Sequence, residues 1–183
     1  VGIILAVSHE LANYAADLVD IFYHEENEKA SVITSLIDVI KVGFPKVQKF
    51  PDYCKEATKV GRDAKYKFNG SFEIGSQYHF TMEPQTCLVI PIEDGLDVYS
   101  STQWMDTTQI AIADALSIPN NVVNMNVRRL GGGFGGKISR PALVACAAAI
   151  AAHHLNRPVR FIMTIEANMN IVGKRYACIN DYT

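Results

Sequence analysis

A glycine-rich segment is the part of this sequence best suited to bind a ligand. Residues 131–137 read Gly-Gly-Gly-Phe-Gly-Gly-Lys, with five glycines around Phe134. A tight turn needs only one or two glycines, so the cluster indicates that a ligand approaches the main chain closely. The alternating residues 121–127 predict a strand before it, and Ser139 predicts the N-cap of a helix over residues 141–155. A strand, a glycine turn and a helix N-terminus are together typical of an anion or cofactor site.

The segment matches the phosphate-binding loop only in part. Gly131, Gly136 and Lys137 fit the pattern G-x-x-x-x-G-K, in which the lysine reaches the phosphates. The next residue of that pattern is a serine or threonine that holds magnesium, but here it is Ile138, and Ser139 comes one residue late. The match to this loop is therefore incomplete.

A dinucleotide-binding turn is a second partial match. The glycines at positions 131, 133 and 136 fit G-x-G-x-x-G, and the acidic Glu166 follows the next predicted strand. That carboxylate comes later than the spacing of about 20 residues expected of the motif. The strand before the loop is also polar at Asn124 and Asn126, where a buried parallel strand should be apolar. A Rossmann-like nucleotide-binding module stays an alternative, and it predicts flanking parallel strands beside residues 121–127.

The composition is that of an ordinary globular protein. The chain has 183 residues, of which 49% are hydrophobic and 20% are charged, and its net charge is -2. This charge gives no electrostatic basis for binding nucleic acid or an anionic membrane surface. No apolar run approaches the roughly 18 residues that a membrane-spanning helix needs.

The cysteines argue against a metal cluster built within this chain. They are scattered without a C-x-x-C pair, at Cys54, Cys87, Cys146 and Cys178. We therefore expect no structural zinc or iron–sulfur site here. We expect free thiols instead, in a reducing compartment, the cytoplasm. The chain starts at Val1 without methionine and ends at Thr183 inside a polar and apolar alternation, so we expect an internal fragment of a longer polypeptide.

Hydrophobic periodicity predicts an α+β fold around these segments. The predicted strands are residues 2–7, 19–23, 65–74, 77–83, 87–92, 96–102, 121–127 and 159–164. The predicted helices are residues 9–18, 31–42, 107–117 and 141–155. Ser8 is the expected cap of the first helix, Thr107 or Thr108 is the expected cap of the third, and residues 93–95 predict a hairpin turn.

Four motifs resemble those of the xanthine dehydrogenase and aldehyde oxidase family, in the same order. They are Gln-x-His-Phe-x-x-Glu at residues 77–83, Ser-Ser-Thr-Gln at 100–103, the glycine loop at 131–137 and Arg-Pro-Val-Arg at 157–160. The resemblance covers essentially the whole chain. It implies the C-terminal end of an α/β hammerhead domain at residues 1–30, a connecting segment at 31–64, and the N-terminal part of a mixed α/β molybdopterin-binding domain at 65–183.

The resemblance implies a molybdenum hydroxylase, most like an aldehyde oxidase, that oxidises small aldehydes to carboxylic acids at a molybdopterin-bound molybdenum. Purine hydroxylation of the xanthine dehydrogenase type is the alternative. The full-length protein would also carry 2Fe-2S clusters and FAD, form a homodimer, and bind neither nucleic acid nor membrane. The family's catalytic glutamate lies downstream of Thr183, so we expect no catalytic residue and no direct metal ligand in this fragment, which would be inactive alone.

The candidate site residues follow from the matching motifs. Gln103 matches the family's glutamine that hydrogen-bonds an oxygen ligand of molybdenum, and an amide can do so without adding charge. Phe134 and Gly135 match residues that lie against the metal centre. Ile138 replaces the glutamate that binds purines in xanthine dehydrogenases, which predicts a substrate pocket for apolar aldehydes. Segment 77–83 is interpreted mainly as scaffold, and the Gln103 side chain should converge with the loop backbone on one cavity.

Overall fold

The fold is taken from a computed structural model of the chain. The structure describes residues 2–24, 33–42 and 64–183. These residues form five α-helices, which are α1 (His9–Asp17), α2 (Leu36–Val42), α3 (Met105–Leu116), α4 (Pro141–Leu155) and α5 (Ile165–Ile171). They also form six strands, which are β1 (Gly70–Ile74), β2 (Thr86–Ile92), β3 (Gly95–Ser100), β4 (Val123–Asn126), β5 (Val159–Ile162) and β6 (Cys178–Tyr182). A short 3-10 helix, Asn120–Val122, precedes β4.

The described residues divide into two compact units. The larger unit lies within residues 1–21 and 78–175, and the smaller lies within residues 22–77 and 176–183. In the smaller unit β1 and β6 pair antiparallel, with Gly70 opposite Tyr182. All of the candidate site residues belong to the larger unit.

A four-stranded sheet in the order β4-β3-β2-β5 is the centre of the larger unit. Strand β2 pairs antiparallel with β3 and with β5, whereas β3 and β4 run parallel. The β2–β3 hairpin turns at Glu93 and Asp94, where the sequence predicted a turn. Because β3 and β4 are parallel neighbours, the segments that follow them emerge at the same edge of the sheet.

Helices α3 and α4 pack against this sheet and form the core with it. The core consists of alternate residues of the strands and small residues of α4, and it includes Val89, Val98, Val123, Ile112, Val144, Ala145, Ala148 and Ala149. Alternation in the strands buries one side of each, as a half-covered sheet requires. Cys87 lies in the same core, and burial raises the pKa of its thiol to about 12.

Two predictions of strands near the N-terminus were wrong. Residues 2–7 and 19–23 form no strand and are exposed, although α1 follows the first of them at the predicted place. Its predicted cap is confirmed, since the Ser8 hydroxyl accepts the Leu11 N–H at 3.2 Å. An apolar run alone does not specify a strand, because a strand also needs a partner for its backbone groups.

The prediction of a strand over residues 77–83 was also wrong. The segment is irregular, and Phe80 has a φ of 49°, which is not a strand conformation. Its last residue, Glu83, hydrogen-bonds to Gly131 of the glycine loop through both its backbone N–H and its carboxylate, so the end of the segment binds the loop instead of a neighbouring strand. The strand predicted over 65–74 is shorter than expected and begins at Gly70.

The starts of two helices differ from their predicted caps. Helix α3 begins at Met105, and the Thr108 hydroxyl donates to the Trp104 carbonyl at 3.1 Å instead of capping. Helix α4 begins at Pro141 without any side-chain cap, because proline fits the first helical position unaided. Part of the helix predicted over 31–42 and most of segment 44–64 lie outside the described residues. None of the helices that the structure describes is long and apolar enough to cross a membrane.

Candidate functional site

The site is built where the parallel strands β3 and β4 end. Strand β3 continues into residues 101–103, and β4 continues into the glycine loop, residues 131–137. Within the described residues β4 has a parallel neighbour on one side, β3, and no strand on the other. The arrangement differs from the nucleotide-binding alternative, which predicts flanking parallel strands, and it brings the end of β3 to the loop.

Gln103 is bound directly to the loop backbone. Its side-chain Oε1 accepts the N–H of Gly135 at 3.0 Å and the N–H of Lys137 at 3.2 Å. Its own backbone N–H donates to the Lys137 carbonyl at 2.7 Å, and the Thr102 hydroxyl donates to the same carbonyl at 3.3 Å. The structure thus brings together two parts of the chain that lie more than thirty positions apart, at a separation of 32 for Gln103 and Gly135.

These contacts fix the orientation of the Gln103 amide. Only an oxygen can accept two N–H donors, so Oε1 faces the loop and the NH₂ group faces away from it. The Gln103 side chain is exposed, and its Nε2 makes no hydrogen bond within the described residues. The loop therefore presents a neutral, oriented N–H donor at the protein surface.

Two glycines of the loop are required for different physical reasons. A Cβ at Gly133 would lie 2.5 Å from Cδ of Gln103, so the close approach of loop and side chain needs a glycine there. Gly135 has a φ of +87°, and a Cβ built on it would meet no atom within 4 Å. No protein atom fills the space where a side chain of residue 135 would lie. Glycine is suited to this position because it readily adopts a positive φ and leaves the backbone uncovered.

Phe134 and Ile138 are both exposed, as Gly135 is. Phe134 has a φ of 52°, which is uncommon for an aromatic residue, and 72% of it is exposed. Its ring is therefore not a core anchor for the loop. Such a conformation costs about 1–3 kcal/mol and persists only where the surrounding structure enforces it. Ile138 is 39% exposed and directly follows the loop.

Lys137 does not reach outward as the lysine of a phosphate-binding loop does. It is 1% exposed, and its Nζ lies 2.5 Å from Oε2 of Glu83. The same oxygen accepts the Gly131 N–H at 3.0 Å, and the Glu83 N–H donates to the Gly131 carbonyl at 3.2 Å. The scaffold interpretation of residues 77–83 is thus given a specific form, since their last residue, Glu83, holds the loop.

Gln85 is a further support of the loop that was not predicted from the sequence. Its side chain is 2% exposed, and its Nε2 donates to the Gly136 carbonyl at 3.1 Å. On the same side of the loop, a Cβ at Gly136 would lie 2.8 Å from the His79 ring. The sequence signal that could have identified Gln85 is its position directly before the apolar strand β2, because a polar side chain carried into the core there needs a partner.

Within the described residues, no group of three or more His, Cys, Asp or Glu side chains could hold a metal ion. The chemistry that the loop offers is instead hydrogen bonding. It consists of one oriented amide donor, exposed backbone at Gly135 and an exposed aromatic face at Phe134, all neutral. Such a surface suits a ligand that is bound through its own acceptor atoms.

Comparison with known proteins identifies the family. Residues 46–183 match the family model of the molybdopterin cofactor-binding domain. A xanthine dehydrogenase from Blastobotrys adeninivorans is 39% identical over 183 residues, which is 96% of this chain and 12% of the relative. An indole-3-acetaldehyde oxidase from Zea mays is 35% identical over 180 residues, which is 96% of this chain and 13% of the relative.

A solved structure gives the same picture of the fold. The aldehyde oxidoreductase from Desulfovibrio gigas is 26% identical, covers 60% of this chain and 12% of its own, and superposes with a TM-score of 0.52. The chain thus spans 12–13% of the length of these relatives. Since the family model extends over most of the chain, the chain belongs to the molybdopterin cofactor-binding domain family.

Proposed function

We propose that this chain is the part of a molybdenum hydroxylase that holds molybdopterin-bound molybdenum against Gln103, Phe134 and Gly135. The observation that carries the proposal is the Gln103 amide, whose oxygen is used by two loop N–H groups while its NH₂ group is exposed and free within the described residues. The open space beside Gly135 fits a bound group as well. The residues present therefore fit the cofactor.

Each residue has a physical role in this proposal. The NH₂ group of Gln103 donates to the cofactor without adding charge, and it cannot be removed by a change of pH. Phe134 covers one side of the cofactor with an apolar face and keeps water from it. Gly135 leaves its backbone bare so that the cofactor can come close. The bound cofactor supplies the oxidation chemistry itself, and the protein supplies placement and electrostatics.

We propose an aldehyde as the substrate. Ile138 presents an aliphatic side chain beside the loop, where it can contact an apolar substrate chain but cannot pair with the polar edge of a purine. An unpaired polar group costs about 1–3 kcal/mol, which is roughly 5- to 150-fold in selectivity. Purine hydroxylation is the second candidate, because a xanthine dehydrogenase is among the similar relatives.

The properties of the whole protein belong to the same proposal. Since the chain spans 12–13% of its relatives, 2Fe-2S clusters, FAD and a catalytic glutamate would come from other parts of the polypeptide. We also propose a homodimeric, cytoplasmic protein. Residues 1–30 would end an α/β hammerhead domain, residues 31–64 would connect it, and residues 65–183 would begin the molybdopterin-binding domain.

The experiment is to purify the full-length protein and measure molybdenum and pterin per subunit, together with kcat/KM for a series of aldehydes and for xanthine. We expect both components of the cofactor to be present and aldehydes of increasing chain length to be oxidised well, with xanthine a poor substrate. Absence of molybdenum would contradict the cofactor proposal. Efficient xanthine turnover would contradict the aldehyde assignment and favour the purine candidate.

A further inference from the structure

The carboxylate of Glu83 joins the two ends of the glycine loop. Oε2 accepts the N–H of Gly131, the first residue of the loop, at 3.0 Å, and it accepts from the ammonium of Lys137, the last residue, at 2.5 Å. The Glu83 N–H also donates to the Gly131 carbonyl at 3.2 Å. One side chain thereby closes residues 131–137 into a ring, and we call Glu83 and Lys137 the clasp.

The burial of Lys137 depends on this carboxylate. Lys137 is 1% exposed, whereas the side chain of Glu83 is 31% exposed. A buried ammonium without a partner is strongly unfavourable, and the Glu83 carboxylate is the charged partner that Lys137 contacts. A buried ion pair adds little net stability compared with packed apolar residues, and its better-attested use is to select one arrangement of the chain. The Glu83–Lys137 ion pair is therefore better explained as a contact that positions the loop than as one that stabilises the fold.

Gln103 contacts the backbone of Lys137, the same residue whose side chain Glu83 binds. The Lys137 backbone N–H donates to Oε1 of Gln103 at 3.2 Å, and the Lys137 carbonyl accepts from the Gln103 N–H at 2.7 Å. A shift of Lys137 would therefore move the acceptor contacts that orient the Gln103 amide. It would also move Phe134 and Gly135, which lie between the two ends of the clasp.

We propose that Glu83 and Lys137 are positioning residues that set the orientation of the Gln103 amide and the placement of Phe134 and Gly135 toward the cofactor. The proposal rests on the proposed function for its consequence, which is loading with molybdenum. Its structural content, a loop held at both ends by one carboxylate, stands on the contacts alone.

The test uses the full-length protein with two variants of the clasp. Glu83→Gln keeps an acceptor for the Gly131 N–H but leaves the ammonium of Lys137 without its charged partner. The double variant Glu83→Leu with Lys137→Met removes both charges and leaves no unpaired ammonium. Lys174→Met is the control for the loss of a lysine charge, because Lys174 is exposed, lies over the Tyr78 ring at 4.5 Å, and within the described residues makes no ion pair or side-chain hydrogen bond with the loop.

Three quantities are measured for each variant, namely molybdenum per subunit, the Tm, and the rate of amide hydrogen exchange in the peptide that contains the loop. We expect the double variant to keep a Tm close to that of the wild type, to exchange faster in the loop, and to lose molybdenum about tenfold or more, as expected for a lost charge-assisted contact. Glu83→Gln should lower both Tm and loading, and Lys174→Met should change none of the three.

Two results would overturn the proposal. One is a double variant with wild-type loading and wild-type exchange in the loop. The other is a double variant whose loading falls only together with its Tm while exchange in the loop stays unchanged, since the pair would then be merely structural. A wild-type protein without molybdenum would instead contradict the proposed function, and hydrogen exchange in the loop would still report on the clasp.

Discussion

Two substitutions of Gln103 distinguish the contact of its amide with the loop from its proposed contact with the cofactor, because glutamate and leucine remove different parts of the amide. Gln103→Glu keeps a side-chain oxygen that can accept the N–H groups of Gly135 and Lys137, but it removes the NH₂ donor. Gln103→Leu has a similar size and removes both the acceptor and the donor. The comparison therefore distinguishes support of the loop from donation to the cofactor.

The structure gives the size of each effect. Gln103→Leu loses the hydrogen bonds from the Gly135 and Lys137 N–H groups, at 3.0 and 3.2 Å, which together stabilise the fold by about 1–3 kcal/mol. Glutamate keeps both and should unfold at nearly the wild-type temperature. Loss of the NH₂ donor should lower cofactor binding or transition-state stabilisation by about 1–3 kcal/mol, which is roughly 5- to 150-fold. The new negative charge adds to that loss wherever the cofactor is itself anionic.

The assay uses both full-length variants beside the wild type. Tm reports the support of the loop, and molybdenum per subunit with kcat/KM for an aldehyde reports donation to the cofactor. We expect Gln103→Glu to have near-normal Tm with poor loading or turnover, and Gln103→Leu to be impaired in all three. A Gln103→Glu protein with wild-type molybdenum content and wild-type kcat/KM would refute the role assigned to the amide.

Three further predictions concern other residues of the chain. Ile138→Glu should reduce kcat/KM for long aldehydes by about 0.8 kcal/mol per methylene that loses apolar contact, with only a slight gain for xanthine; unchanged aldehyde selectivity would remove Ile138 from the pocket. Gly135→Asn should fold normally by circular dichroism, because asparagine tolerates a positive φ and its Cβ would meet no protein atom within 4 Å. The variant should nevertheless contain less molybdenum, and a normal molybdenum content would show that the loop is only a turn. Cys87, with a pKa raised to about 12 by burial from an ordinary 9.0, should be alkylated by iodoacetamide at pH 8 about a thousandfold more slowly than an ordinary thiol, since the thiolate is the reactive form. Peptide mass spectrometry measures the alkylation rate, with the exposed Cys178 as the internal control, and a Cys87 that reacts as fast as Cys178 would contradict the prediction. The folded protein favours the protonated form of Cys87, so this thiol contributes stability that is complete below pH 9 and is lost as the pH rises toward about 12.

Local signals in the sequence predicted the local features of the fold. Ser8 three residues before Leu11 predicted the first helix cap, and residues 93–95 predicted the β2–β3 hairpin. Both depend on contacts between near neighbours. The apolar residues 2–7 carried the same kind of signal for a strand, but no described strand pairs with them, and periodicity does not encode that partner.

The candidate site was predictable only in part for the same reason. The glycine loop could be recognised from composition, and Gln103 was assigned to it through a family resemblance. The contact between Glu83 and Lys137 spans 54 positions, and no spacing rule predicts an ion pair over that distance. Residues 77–83 were predicted as a strand because their apolar members alternate, whereas their backbone and side chains actually bind the loop.

The central claim is that the glycine loop and Gln103 hold the molybdenum cofactor. The measurement that tests it most directly is a crystal structure of the full-length protein with anomalous data collected at the molybdenum absorption edge. We predict a molybdenum peak beside Phe134 and Gly135, with the pterin cofactor within hydrogen-bonding reach of Nε2 of Gln103 and with Oε1 still bound to the loop. A molybdenum peak elsewhere in the protein, or a Gln103 amide turned away from the cofactor, would contradict it.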